Sequence, residues 1–172
     1  MDKNIQAKEG QQRAIAVFEK KPARAQVTNT GKATVSDGLA CRFSEAGKTI
    51  DIDMPEAIGG TGAAPPPGYF GRAALCSCIA IGIKMCAVRE GVELDEVSVS
   101  IEQDFDNRGV LGMPGAAAAP SNTCVQINIV SRDPDKQVEA LVQRALEIDP
   151  WYLAFHKAQP VKVDCATVAE VA

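Results

Sequence analysis

The stretch from Pro67 to Gly91, PGYFGRAALCSCIAIGIKMCAVREG, constrains this chain more than any other. Pro67 suits the first turn of a helix, where a missing N–H costs nothing and φ is already helical. Gly91 suits the left-handed residue just past a helix end. Arg89, in the last turn, complements the negative end of the helix dipole. Between those ends only Arg72, Lys84, Arg89 and Glu90 are charged. A helix apolar almost all round is expected to be buried on most sides, and these positions span roughly 36 Å, the width of a small domain. Membrane insertion is the rival reading. The apolar run Ala73 to Ile83 is broken by Lys84, well short of the about 20 residues a bilayer requires. The segment therefore reads as a core helix, with no membrane partner.

The length of 172 residues suits one domain with a real core. We divide the chain into an N-terminal segment, 1–23, and a single domain, 24–172. A net charge of −4 argues against a general nucleic-acid binder. The opening MDKNIQAKEGQQR has no apolar run of the kind that begins a secretory signal. The six cysteines are then expected to stay reduced in a cytoplasm. With no C-x-x-C and a single histidine, His156, they do not spell a zinc site, and no cofactor is expected.

Along the chain, residues 1–20 leave strand and helix open. Arg24 to Val27 and Ala33 to Val35 read as strands, Asp37-Gly38 as a hairpin turn, Leu39 to Phe43 and Thr49 to Asp53 as further strands of a meander. Asp51 and Asp53 fall on one solvated face. The glycine-rich Ile58 to Gly62 lacks the G-K-[ST] ending of a phosphate loop and reads as a linker. After the helix, Val97 to Phe105 and Cys124 to Val130 alternate as a long hairpin around a loop, 107–122. Asp133 is placed to cap a second, amphipathic helix whose stripe is Val138, Leu141, Val142, Ala145, Leu146 and Ile148. Pro150 ends it, Trp151 and Tyr152 anchor it, and Val161 to Val163 is a last strand. The order of elements is α+β.

The chemistry available is mainly thiol chemistry. Cys78 lies about three turns inside the helix, beyond the reach of its dipole, and its neighbours at three and four residues are Ala74, Leu75, Ile81 and Gly82. Any cation that activates it must come from another element or another chain. Cys76 lies about 200° away round the axis, and Cys86 about 12 Å along it, too far for a disulfide. A partner thiol must come from Cys41, Cys124 or Cys165. His156 reads as a surface residue.

Cys78-Ile79-Ala80-Ile81-Gly82-Ile83-Lys84-Met85-Cys86-Ala87-Val88-Arg89-Glu90-Gly91 resembles the central helix of the OsmC/Ohr family (osmotically inducible protein C and organic hydroperoxide resistance). There a redox cysteine precedes a small apolar run, a basic residue and a glycine stop, and Cys78 falls at the cysteine position. Gly31 to Gly38 is similar to the family's first strand and turn, and the later elements follow in its order, over residues 24–165. The resemblance implies an OsmC-like fold: antiparallel sheets on a long buried helix with a second amphipathic helix, in an intertwined homodimer. It also implies a bacterial, cytoplasmic protein of oxidative-stress defence that reduces organic hydroperoxides. In the family a second cysteine resolves the oxidised one, and an arginine and a glutamate activate it. Here the chain departs: Asp149 precedes Pro150 where the second cysteine usually stands, Gly68 follows Pro67 where the glutamate does, and Asn29 and Thr30 occupy the arginine's region.

Two functional readings follow. In the first, a thiol peroxidase with a degenerate site is oxidised at Cys78, rescued by another cysteine or an external thiol reductant, and assisted by Arg24, Arg42 or Arg72. In the second, a non-catalytic homologue binds a small hydrophobic ligand at the dimer interface, with loops 57–66 and 112–122 at the mouth.

Overall fold

A computed structural model describes residues 2–167; the end of the expected domain, 168–172, lies outside the described residues. Helix α1 (Lys3–Lys20) opens the chain, and the Asp2 carboxylate caps it by accepting the Asn4 N–H at 2.8 Å. The segment that the sequence left open is thus helical. Alanine, lysine, glutamine and glutamate, all good helix formers, fill most of it. The expected Arg24 to Val27 strand does not form. Pro22–Ala25 is a 3-10 turn, because Pro22 fixes φ and supplies no donor for a ladder.

The meander follows as expected, with β1 (Gly31–Val35), β2 (Cys41–Glu45) and β3 (Lys48–Ile52) antiparallel in chain order. Phe43 sits between Ala33 and Ile50. The β2–β3 turn places Ala46 and Gly47 at φ 47° and 75°, the left-handed pair that matches strand twist in a two-residue hairpin.

Asp51 and Asp53 part company. Asp51 is exposed and pairs with Arg42 at 2.7 Å. Asp53 lies beyond the end of β3, where alternation no longer governs direction, and is buried. Its carboxylate accepts from the Met54 N–H (2.8 Å), the Thr61 N–H (3.0 Å), the Thr61 hydroxyl (2.5 Å) and the Ala63 N–H (3.2 Å). Four donors replace the water that burial removes. The glycine-rich segment is therefore a loop wrapped around a carboxylate. Gly60 permits the wrapping, since a Cβ there would lie 1.8 Å from the Met54 carbonyl oxygen.

Helix α2 (Pro67–Glu90) has the bounds read from its sequence, and Gly91 closes it at φ 78°. Leu75, Ile79, Ile83, Cys86 and Ala87 form its buried face. Against that face packs the hairpin of β4 (Leu94–Asp104) and β5 (Asn122–Ser131), joined through the short α3 (Asn107–Val110). Its pairs Val97–Ile129, Val99–Ile127 and Ile101–Val125 turn one apolar side to the core. Lys84, the charge inside the apolar run, sends its ammonium to the Leu94 carbonyl.

Helix α4 (Asp135–Glu147) adds Leu141 and Ala145 to the core. Asp133 does not cap it; its carboxylate accepts the Glu93 N–H at 2.7 Å and ties the start of α4 to the start of β4. A further helix, α5 (Pro150–His156), begins at Pro150. Val161 to Val163 is not a strand: Val161 and Val163 are 81% and 85% exposed, with no ladder partner among the described residues. The architecture is α+β with antiparallel sheets, a long core helix and a second amphipathic helix.

One expectation fails within the single chain. Helix α2 is covered on one side only, and Ile81 and Met85 on the other are 60% and 42% exposed. The meander makes at most grazing contact with the core, and β1 is exposed along its whole length.

Two outcomes follow from this packing. Leu141→Ala, which empties a fully buried site between α4 and α2, should cost about 2–5 kcal/mol in denaturant unfolding. Asp53 is held below the ordinary carboxylate value first by the Thr61 hydroxyl, and then by the Thr61, Met54 and Ala63 N–H groups, against the opposing effect of burial. A lowered folded-state value stabilises the fold above the unfolded value of about 3.9 and is lost as pH falls through the folded one. Thermal unfolding should therefore show Asp53→Asn less stable than wild type at neutral pH, with the gap closing in acid.

Candidate functional site

Cys78 stands midway along α2, partly buried, on the wall of a cavity of about 460 Å³. The helix contributes Cys78, Ile81 and Met85 to that wall, and the α4–α5 junction contributes Ile148, Asp149 and Trp151. The last residue of the apolar stripe and one expected anchor thus depart from expectation: Ile148 is 62% exposed and Trp151 50%. They face the cavity mouth, while Tyr152 packs on the core.

Asp149 is the site's unusual residue. It is 3% exposed. Its Oδ1 caps α5 by accepting the Tyr152 N–H at 2.7 Å. Its Oδ2 is buried and meets no hydrogen-bond donor among the described residues. The carboxylate lies against α2 where Gly82 leaves room; a Cβ at Gly82 would stand 3.1 Å from Oδ2. Burial pushes the Cys78 thiol above its ordinary value, the Trp151 backbone N–H pulls it back, and the Asp149 carboxylate pushes it up again. The carboxylate acts on the thiol first as a hydrogen-bond acceptor and then through its charge, although no donor among the described residues meets Oδ2 with full hydrogen-bond geometry.

The far end of the same cavity holds Cys86 and Arg89. The Arg89 guanidinium donates to the Cys86 sulfur at 2.9 Å and to the Gln11 side-chain oxygen of α1 at 2.7 Å. Arg144 on α4 pairs with Glu90 one residue further on. Among the described residues, the cation on this cavity's wall thus lies on α2 itself, about three turns beyond Cys78.

The other candidates do not converge. Arg24, Arg42 and Arg72 line no wall of this cavity, and neither do Cys41, Cys76, Cys124 or Cys165. All six cysteines are free. Loops 57–66 and 112–122 stand away from the cavity. His156 stacks on Tyr152, with ring centroids 5.4 Å apart, beside a separate cavity of about 430 Å³ between α2 and β5. Among the described residues no cluster of histidine, cysteine and carboxylate side chains is arranged to hold a metal.

A family model described as OsmC-like protein matches residues 60–164, more than half of the chain. The chain belongs to the OsmC-like family. No curated protein matches it by sequence. Solved structures share its fold. An OsmC-like protein from Mycoplasma pneumoniae superposes with a TM-score of 0.64 at 10% identity, covering 76% of this chain and 89% of its own. An organic hydroperoxide resistance protein from Legionella pneumophila gives 0.58 at 24% identity, over 75% and 89%. One from Elizabethkingia anophelis gives 0.59 at 14% identity, over 75% and 88%.

The upward shift sets an expectation for reactivity. The rate of Cys78 alkylation, followed peptide by peptide against pH, should rise with a midpoint above the value of about 8.5 for a free cysteine. Exposed Cys124 and Cys165 should be modified first at neutral pH.

Proposed function

We propose that this chain is a thiol-dependent redox protein that reduces organic hydroperoxides at Cys78 and works as a homodimer. The observation that carries the reading is the pairing of the family's cysteine position with a buried carboxyl group in one apolar cavity. Ile81, Met85, Ile148 and Trp151 suit the hydrocarbon part of an alkyl or aryl hydroperoxide. The names of the Legionella and Elizabethkingia relatives lend the peroxide chemistry to the proposal. Sulfur attacks the terminal peroxide oxygen, the O–O bond breaks, and a sulfenic acid and an alcohol result. The second thiol on the cavity wall, Cys86, lies too far along α2 to bridge Cys78, so an external monothiol completes the cycle. One equivalent forms a mixed disulfide and water. A second releases the Cys78 thiol and a small disulfide. A reducing compartment such as the cytoplasm suits the six free thiols.

Exposed surface supports the dimer. The chain exposes 13189 Å², whereas a folded monomer of its mass exposes about 8,100 Å². An excess in that direction is what a chain leaves exposed when an obligate partner is taken away. Uncovered surface includes the outer face of α2, the whole of β1, and α1, which has no buried residue.

A second reading has its own support. The Cys78 thiol is pushed up, and the cavity's guanidinium is engaged by Cys86 and Gln11. A homologue that binds an apolar ligand without turnover fits those facts.

Turnover of an aryl hydroperoxide with a monothiol reductant separates the two. The peroxidase reading expects activity that Cys78→Ser reduces to background, with the protein eluting as a dimer in size-exclusion chromatography with light scattering. An unchanged rate in Cys78→Ser removes Cys78 from the chemistry, and no turnover at all favours the binding protein.

A further inference from the structure

Asp149 holds a buried oxygen that the fold leaves unused. A buried polar atom without a partner is costly, so its surroundings matter. Oδ1 is committed to the α5 cap. Oδ2 is the free atom, and the cavity it borders contains Cys78 on the facing helix. Gly82, one turn along from Cys78, supplies the gap in α2 that the carboxylate fills. The other ionisable groups on the cavity wall are Cys86 and Arg89, which bond to each other. Among the described residues, Asp149 is therefore the only carboxylate lining the cavity that holds Cys78.

We propose that Asp149 is a catalytic residue that shuttles the proton of the Cys78 thiol during peroxide reduction. This rests on the peroxide reading above. As sulfur attacks the terminal oxygen of the hydroperoxide, Oδ2 takes the S–H proton. The S–O bond forms, the O–O bond breaks, sulfur is oxidised by two electrons and the peroxide is reduced by two. Oδ2 then delivers the proton to the departing alkoxide, which leaves as the alcohol. The sulfenic acid keeps the hydrogen of the terminal oxygen, and the carboxylate ends ionised as it began. Cys78 thus rests as a thiol and loses its proton only when substrate is present. Gaps of this kind between acid–base partners close in the substrate complex.

The test follows Cys78 in the full-length protein by peptide-resolved mass spectrometry under single-turnover conditions. One probe is an aryl hydroperoxide, with dimedone to trap the sulfenic acid; the other is iodoacetamide, across a pH series. In Asp149→Asn, oxidation by the hydroperoxide should fall about 10²-fold, the usual scale of a lost general base. Alkylation at neutral pH should rise instead, because the carboxylate's field no longer opposes the thiolate. Loosened packing would move both rates the same way, so the split identifies proton transfer. Oxidation that is unchanged, or that rises with alkylation, overturns the proposal.

Asp149→Cys tests the geometry independently of the Asn variant's folding. Under diamide it should form an internal disulfide with Cys78, seen as a loss of two hydrogens and of dimedone labelling. Failure to bridge means that position 149 does not face the sulfur, and the proposal falls. If wild-type Cys78 is never oxidised by a hydroperoxide, the peroxide reading fails and takes this one with it. Normal wild-type oxidation with an indifferent Asp149→Asn rejects the shuttle alone.

Discussion

Burial of one face of α2 is the constraint on which the rest depends. Leu75, Ile79, Ile83 and Ala87 recur at helical spacing, and the apolar side of the β4–β5 hairpin and the α4 stripe close over them. Non-directional burial is the largest favourable term available to such a chain. It fixes the rotation of α2 about its axis. That rotation in turn decides which thiol faces where. Cys86 joins the core, while Cys78 is left on the flank at the wall of a cavity. The short α4–α5 connection then brings Asp149 to the same wall.

Electrostatics divide the cavity into two ends. At one, a thiol and a carboxylate share an apolar lining without a cation. At the other, a guanidinium bridges a buried thiol and an amide of α1. A cysteine needs help to become a nucleophile, through a cation or through a base. The Cys78 end offers the base and the Cys86 end the cation. The two are separated by two helical turns, so neither sulfur enjoys both.

The fold was largely legible. The proline and glycine bounding α2, the alternation in both hairpins and the stripe of α4 are local signals whose physics is decided within a few residues. Failures came where a distant partner decided the outcome. Asp53 sits one residue past a strand end, and only the return of Thr61 and Ala63 makes it a buried acceptor. Asp133 has the chemistry of a cap but is drawn away by the Glu93 N–H across the sheet. Val161 to Val163 has strand-forming residues without a neighbouring edge to pair with. At the site, Cys78 was visible through its helix. Asp149 was visible only as a residue standing where the family usually has a cysteine. The Asp-Pro pair does signal a helix start, but no local pattern shows that one carboxylate oxygen will be sealed against Gly82. Arg89 has a local signal only as a charge at the helix end, because its partner Gln11 lies far back in the sequence.

That last contact gives the first helix a structural meaning beyond its own residues. Its outer side chains, Ile5, Ile15 and Phe18, remain exposed, so α1 contributes little to the core. What it contributes is a tether: the Gln11 oxygen fixes one arm of the guanidinium whose other arm holds Cys86. Loss or displacement of α1 would free one arm of that positive charge at the end of the chamber away from Asp149. The amino-terminal segment is thus part of the electrostatic boundary of the cavity, and trimming it, or fusing a bulky peptide to it, alters the chamber from a distance.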